Sequence, residues 1–214
     1  ASTDRLFTIQ DGANNIYIQG KGNLTFSNTG AIVKTGSGTL ALRGDGAGVG
    51  TFNPKLPSDL TLSKNDPDQW VLGQSNTIDK LIDGNGTLTI NANDLTVNVA
   101  SFTAGSLIGT TGRLIVNSDF QFAGGMVDVV VADGSGSAPL NKFPGTGTLT
   151  RANTFTGQAT IHGGILNVNV LADGGVASGI GRSSSADTNL QFNDAPGTLS
   201  YVGSTAVSTN RQFQ

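Results

Sequence analysis

The apolar runs of this chain are each too short to stand alone, and that limits its possible folds more than any other feature. Between residues 145 and 201 they include Leu149 with its flanking threonines, Ala159-Thr160-Ile161, Ile165-Leu166-Asn167-Val168, Asn189-Leu190-Gln191-Phe192 and Thr198-Leu199-Ser200-Tyr201. Gly, Asn, Asp and Ser separate them. Alternation with period two sends the large side chains to one face of a strand. A lone short strand has nothing to bury that face against. Stacking the runs as rungs of a parallel β-solenoid solves this simply, because each coil covers the next.

Composition supports turns over helices. All 15 acidic residues are Asp, with no Glu, and Gly supplies 31 of 214 residues, roughly twice its average usage. Asp, Asn and Gly favour turns, whereas Glu and Lys are ordinary helix-surface residues. The expectation is an all-β chain with little or no α-helix. Net charge is −3 and no basic cluster exists, so the footprint of a nucleic-acid binder is missing. The absence of Cys removes disulfides, thiolate chemistry and Cys-based metal sites. It suits a chain exported unfolded, which a premature disulfide would lock. No run approaches the length of a membrane span, and the start carries no basic-then-apolar signal, so no direct membrane insertion is expected.

The rest of the chain carries the same texture. Strands are expected at 5–9, 15–18, 23–26, 31–33 and 39–42, then at 70–72, 86–90, 95–99, 113–116, 120–122 and 126–131. In the last of these, the flanking valines predict that Asp128 points outward. Gly-x-Leu recurs at Gly22, Gly38, Gly86, Gly112, Gly147, Gly164 and Gly197. Segment 44–69 holds Pro54, Pro57 and Pro67 and reads as a loop excursion, because proline cannot donate to a ladder. Trp70 is then expected to seal the base of that loop, with sugar binding as a sharper alternative. A second excursion is expected near 132–144. Coils of about 20–25 residues give roughly nine coils.

The two ends match. Ser2-Thr3-Asp4-Arg5-Leu6-Phe7 and Ser208-Thr209-Asn210-Arg211-Gln212-Phe213 share the pattern S-T-[DN]-R-x-F. The expectation is that they occupy equivalent corners, with the phenylalanines inside and the arginines capping turn carbonyls. The chain then reads as a single fragment, 1–214, of a longer repeating protein. Residues 1–43 would be the tail of a preceding repeat with the first coils, 70–144 the middle coils and 145–214 the last repeat.

From Gly145 onward the residues resemble the autotransporter-associated β-strand repeat, also called the passenger-associated transport repeat. Gly145, Gly147, Leu149, Thr150, Asn153, Thr154, Phe155, Thr156, Gly157, Thr160, Ile161, Gly164, Leu166 and Val168 fill its pattern. Arg151-Ala152 and Gln158 depart from it, and 44–144 matches in texture only. The resemblance implies a right-handed parallel β-helix in an adhesin-type passenger of a type V secreted autotransporter, a virulence-associated class. Such a chain partners its own C-terminal outer-membrane barrel during secretion and ends at the bacterial cell surface or secreted. A host surface, a glycan or sister passengers are the further partners implied. Within the repeat, Asn153 is expected to cap turn donors, Gly157 to adopt positive φ, and Phe155 to fill the core.

Chemistry is sparse. His162 is the sole histidine, so no Ser-His-Asp set can be assembled with confidence, and an exposed turn is its expected place. Isolated Gly44-Asp45-Gly46-Ala47-Gly48 and Asp133-Gly134-Ser135-Gly136 lack the order of a calcium-binding repeat. No phosphate-binding loop is present. The expectation is therefore no catalytic, cofactor-binding or metal residues, no cofactor and no enzyme activity. The function expected is a structural stalk segment that aids secretion and folding and displays surface loops. The alternatives are a β-helix polysaccharide-processing enzyme and a glycan- or host-binding module using the 44–69 loop.

Overall fold

The computed structural model describes residues 1–46 and 48–214; Ala47, inside the expected 44–69 excursion, lies outside the described residues. Twenty strands follow one another among the described residues. The first nine are β1 (Ser2–Thr3), β2 (Thr8–Ile9), β3 (Ala13–Ile18), β4 (Leu24–Phe26), β5 (Val33–Lys34), β6 (Thr39–Gly44), β7 (Val49–Phe52), β8 (Thr61–Lys64) and β9 (Gln69–Leu72). Then come β10 (Asn76–Asp83), β11 (Thr87–Asn91), β12 (Leu95–Phe102), β13 (Ser106–Phe122), β14 (Gly125–Asp133) and β15 (Leu140–Lys142). The last are β16 (Thr146–Leu149), β17 (Ala159–Ile161), β18 (Gly164–Val168), β19 (Leu190–Phe192) and β20 (Gly197–Tyr201). A single 3-10 turn, Asp187–Asn189, is the only helical element among the described residues.

Every pairing between named strands is parallel, and the chain winds as a β-solenoid of about eight turns, against the roughly nine expected. Three ladders form its faces. The first runs β1, β4, β7, β9, β11, the start of β13, the start of β14, β16, β18 and β20. The second runs β3, β6, β8, the ends of β10, β12 and β13, then β15, β17 and β19. The third is less regular: β2 with β5, a bridge from Ala31 to Lys55, then the remaining parts of β10, β12, β13 and β14.

Register turns local alternation into continuous interior columns. On the second face Leu40, Leu62, Leu81, Ala100, Phe120, Leu140, Ala159 and Leu190 lie one above another, all buried. Parallel stacking at ~4.8 Å holds like over like, so one column is removed from water along the whole chain. In five of the seven Gly-x-Leu steps the leucine points fully inward, at Leu40, Leu88, Leu114, Leu149 and Leu166, whereas Leu24 and Leu199 are half-buried. Asp128 faces outward and accepts from Arg151, as its flanking valines require.

The 44–69 excursion is not there. β7 and β8 lie inside the ladders, paired on both sides. Pro54, Pro57 and Pro67 fall outside the strands, at corners where no ladder donor is needed. Trp70 consequently lies within the core, fully buried, its indole N–H donating to the Arg43 carbonyl at 3.2 Å. Gly50, one coil below, makes the space; a Cβ there would sit 2.3 Å from the indole ring. A side chain so enclosed cannot stack on a sugar. The 132–144 excursion shrinks as well, because β15 pairs with β13 and β17.

The longest departure lies where regular coils were expected. Residues 169–189 form no strand between β18 and β19, and Ser178 to Gly181 return to the body, with Ile180 in the core; β18 and β20 remain partners, with Asn167 opposite Ser200. The end motifs are not equivalent either. Thr8, which follows the first motif, lies in β2 of the third ladder, whereas Gln214, which follows the second, pairs with β19 of the second. Arg211 is buried under the 169–189 loop, donating to the carbonyls of Ala172, Asp173, Val176 and Gly181 and to Ser183 Oγ. Arg5 is exposed, and so is Phe213, at 68%. Arg211 caps carbonyls as expected, but its cage comes from a loop that Arg5 does not meet.

Candidate functional site

Two arrangements of polar groups stand out, one lateral and one internal. The lateral one is a strip on the outer side of the second face. Gln121, Asn141, Thr160 and Gln191 are successive register partners there. Asp119 accepts from Gln121 Nε2 and from Asn141 Nδ2, each at 2.7 Å. Asn141 Oδ1 faces His162 Nε2 at 3.4 Å, and His162 Nδ1 faces Asp194 Oδ2 at 2.7 Å. The imidazole stacks on Phe143, with ring centres 5.2 Å apart and planes 11° from parallel.

His162 is therefore a partly covered member of a coil-to-coil network and not an exposed turn residue. Its two ring nitrogens face an amide oxygen and a carboxylate, so the position a nucleophilic hydroxyl would need is taken. The strip offers amides, carboxylates and a half-exposed ring. Four of the cations that a lyase-like face would need are engaged elsewhere, in ion pairs between neighbouring coils: Arg43 with Asp66, Arg113 with Asp94, Arg151 with Asp128 and Lys34 with Asp59. The hydrogen bonds from Arg113 hold the Asp94 carboxyl below the usual range. No group of three or more His, Cys, Asp or Glu able to hold a metal occurs among the described residues.

The repeat residues are placed by the coil geometry. Phe155 is buried, as expected of a core residue. Asn153 is buried too; its Oδ1 accepts from Val131 N at 2.8 Å and its Nδ2 donates to Gly179 O at 2.9 Å. It thus ties the coil below to the loop above. Gly157 is not at positive φ. Its small size matters instead, because a Cβ would lie 2.2 Å from the Ala138 carbonyl oxygen. Asn76 plays the Asn153 role at the other end of the third face, accepting from Leu56 N at 2.8 Å. Sequence reasoning missed it; the only available signal was an Asn at the start of an alternating run.

The internal arrangement sits where the second face turns into the first. One inward column there reads Leu42, Lys64, Asp83, Phe102, Phe122, Lys142, Ile161 and Phe192. Lys64, Asp83 and Lys142 are fully buried in it. Lys64 Nζ donates to Asp68 Oδ1 at 2.5 Å, to the Asp66 carbonyl, and to the Asn85 carbonyl at 3.3 Å. Lys142 Nζ donates to three carbonyls, of Ala123, Phe143 and Gly145. Burial pulls the Lys142 amine below the usual lysine range. It also pushes the Asp83 carboxyl up to about 8, against the opposing pull of Lys64. Neither Asp83 nor Lys142 was singled out from the sequence.

Comparison with known proteins adds one likeness. Over 228 aligned positions the chain is 33% identical to the adhesin BmaC autotransporter of Brucella suis biovar 1 (strain 1330). The alignment takes in 99% of this chain and 6% of that protein. The chain is homologous to a segment of an autotransporter adhesin. It spans only 6% of its relative's length. No family model matches it, and no solved structure does.

Proposed function

We propose that this chain is a stalk segment of the passenger of an adhesin-type autotransporter, with a structural and not a catalytic role. The observation that supports this is the unbroken stacking of coils, with interior columns running almost its whole length, in a chain 33% identical to an autotransporter adhesin over nearly all its residues. Each coil contacts mainly the coils before and after it, so folding propagates from coil to coil. Outside the cell such propagation draws the emerging chain outward and prevents its return. The full protein carries a C-terminal outer-membrane barrel as the secretion partner, and the stalk is displayed at the cell surface or released. The winding is right-handed, and 145–214 acts as the repeat that promotes secretion and folding.

The test is deletion of 145–214 from the full-length passenger, with display measured by surface protease accessibility. Display is expected to fall several-fold while barrel insertion is unchanged. Undiminished display refutes the secretion role.

A further inference from the structure

Three ionisable side chains are sealed together at the Lys64 corner. Lys64 and Asp83 are register partners on adjacent rungs, and Asp68 touches the amine at 2.5 Å. All three are at most 1% exposed. Both carboxyl oxygens of Asp83 and Oδ2 of Asp68 have no hydrogen-bond partner among the described residues. Gly105 closes the space against Asp83, since a Cβ there would fall 1.8 Å from Oδ1. Phe102 is the next residue up the column. Buried polar groups are almost always paired, so one orphaned carboxyl and one half-satisfied carboxylate beside a sealed amine require an explanation.

We propose that Lys64 and Asp83 condense into an intramolecular amide that welds one coil to the next, with Asp68 as the base. The Asp68 carboxylate takes one proton from the Lys64 ammonium. The Nζ lone pair attacks Cγ of the Asp83 carboxylic acid, and a C–N bond forms. The C–OH bond breaks, and the hydroxyl leaves with a second Nζ proton as one water. Asp68 keeps the first proton. No oxidant, cofactor or activating nucleotide is needed.

Three features favour the step. Neighbouring rungs lie ~4.8 Å apart, within reach of a flexible lysine stem turning from the corner toward the aspartate above. Asp83 is held as the neutral acid at neutral pH, the form that accepts a nucleophile. A cation, an anion and a neutral acid become an amide and a neutral acid, which removes two charges from a place where charge is poorly solvated. Register also holds the two side chains on adjacent rungs of one chain, which replaces a bimolecular encounter. Lys142, in the same column with carbonyls alone around its amine, has no such partner and serves as an internal control.

Denaturing intact-mass measurement of the folded, purified chain tests this. The mass should fall short of the sequence by one water. Trypsin should leave peptides 56–80 and 81–113 joined, uncut after Lys64, with fragmentation placing the link at Lys64 and Asp83. Lys64→Arg and Asp68→Asn should each restore the full mass. Full mass in the wild-type chain overturns the proposal even if the variants fail to fold. A deficit that persists in Lys64→Arg marks dehydration at an aspartate and overturns it too, as does a link mapped to any other residue.

Discussion

Lys64 and Lys142 occupy the same inward column and turn the same kind of corner, yet their surroundings differ. Lys142 is held by three backbone carbonyls. Lys64 has two carbonyls, a carboxylate in contact and a second carboxyl on the rung above. The Lys142 corner shows that carbonyl dipoles alone can host a sealed amine in this fold. The carboxyls at the Lys64 corner therefore exceed what capping requires, and they carry the desolvation of two more ionisable groups.

The largest expected contrast is in pH dependence. In Lys64→Arg, which cannot form the amide, Asp83 stays free to titrate. Its folded pKa of about 8 lies above the ordinary 3.8 of an aspartate, so the folded state holds the proton more tightly. Stability is then greatest below pH 3.8, falls as pH rises through the window, and levels off above about 8. The loss is on the order of 5 kcal/mol. Denaturant titrations between pH 4 and 8 should show that slope in Lys64→Arg and a much smaller one in the wild type, whose Asp83 is consumed. A flat profile in the variant would mean that water reaches Asp83.

Removal of each amine gives the next contrast. Lys64→Met leaves two acids sealed without a cation and should lower stability by about 3–5 kcal/mol at neutral pH. Lys142→Met leaves carbonyls without a donor and should cost about 1–3 kcal/mol. Equal losses in chemical denaturation would erase the distinction between the corners. The smallest effect is expected at the surface. Arg113→Gln breaks the pair with Asp94, both side chains being partly exposed, and should cost about 0.2–1 kcal/mol, fading with salt. A larger loss would show that outer ion pairs matter as much as the inner column.

The difference between these corners could not have been read from the chain. Alternation and turn chemistry are local, so Leu40, Leu149 and Phe155 were legible as core, and Asn153 as a turn-capping residue. Register between coils is not local. His162 meets Phe143 and Asn141 one coil away and Asp194 in the opposite direction. Nothing in the sequence aligns those positions until coil lengths are known. The prolines misled for a related reason. A residue that forbids a ladder bond also suits a corner, and only the path of the chain distinguishes a corner from an excursion. Likewise Arg5 and Arg211 share a motif, but a cage of carbonyls from residues 172–181 encloses only the second.

The tight pairing of Gly50 with Trp70 bears on how such a chain could lengthen. A Cβ at Gly50 would strike the indole one coil above, and a Cβ at Gly147 would lie 2.5 Å from the ring of Phe122. A large ring and its missing side chain are thus inherited as a pair. Gene duplication that copied single coils would separate them and place bulk against bulk. Duplications that copied blocks of at least two coils would keep each ring with its glycine, so the viable unit of growth is longer than the structural repeat.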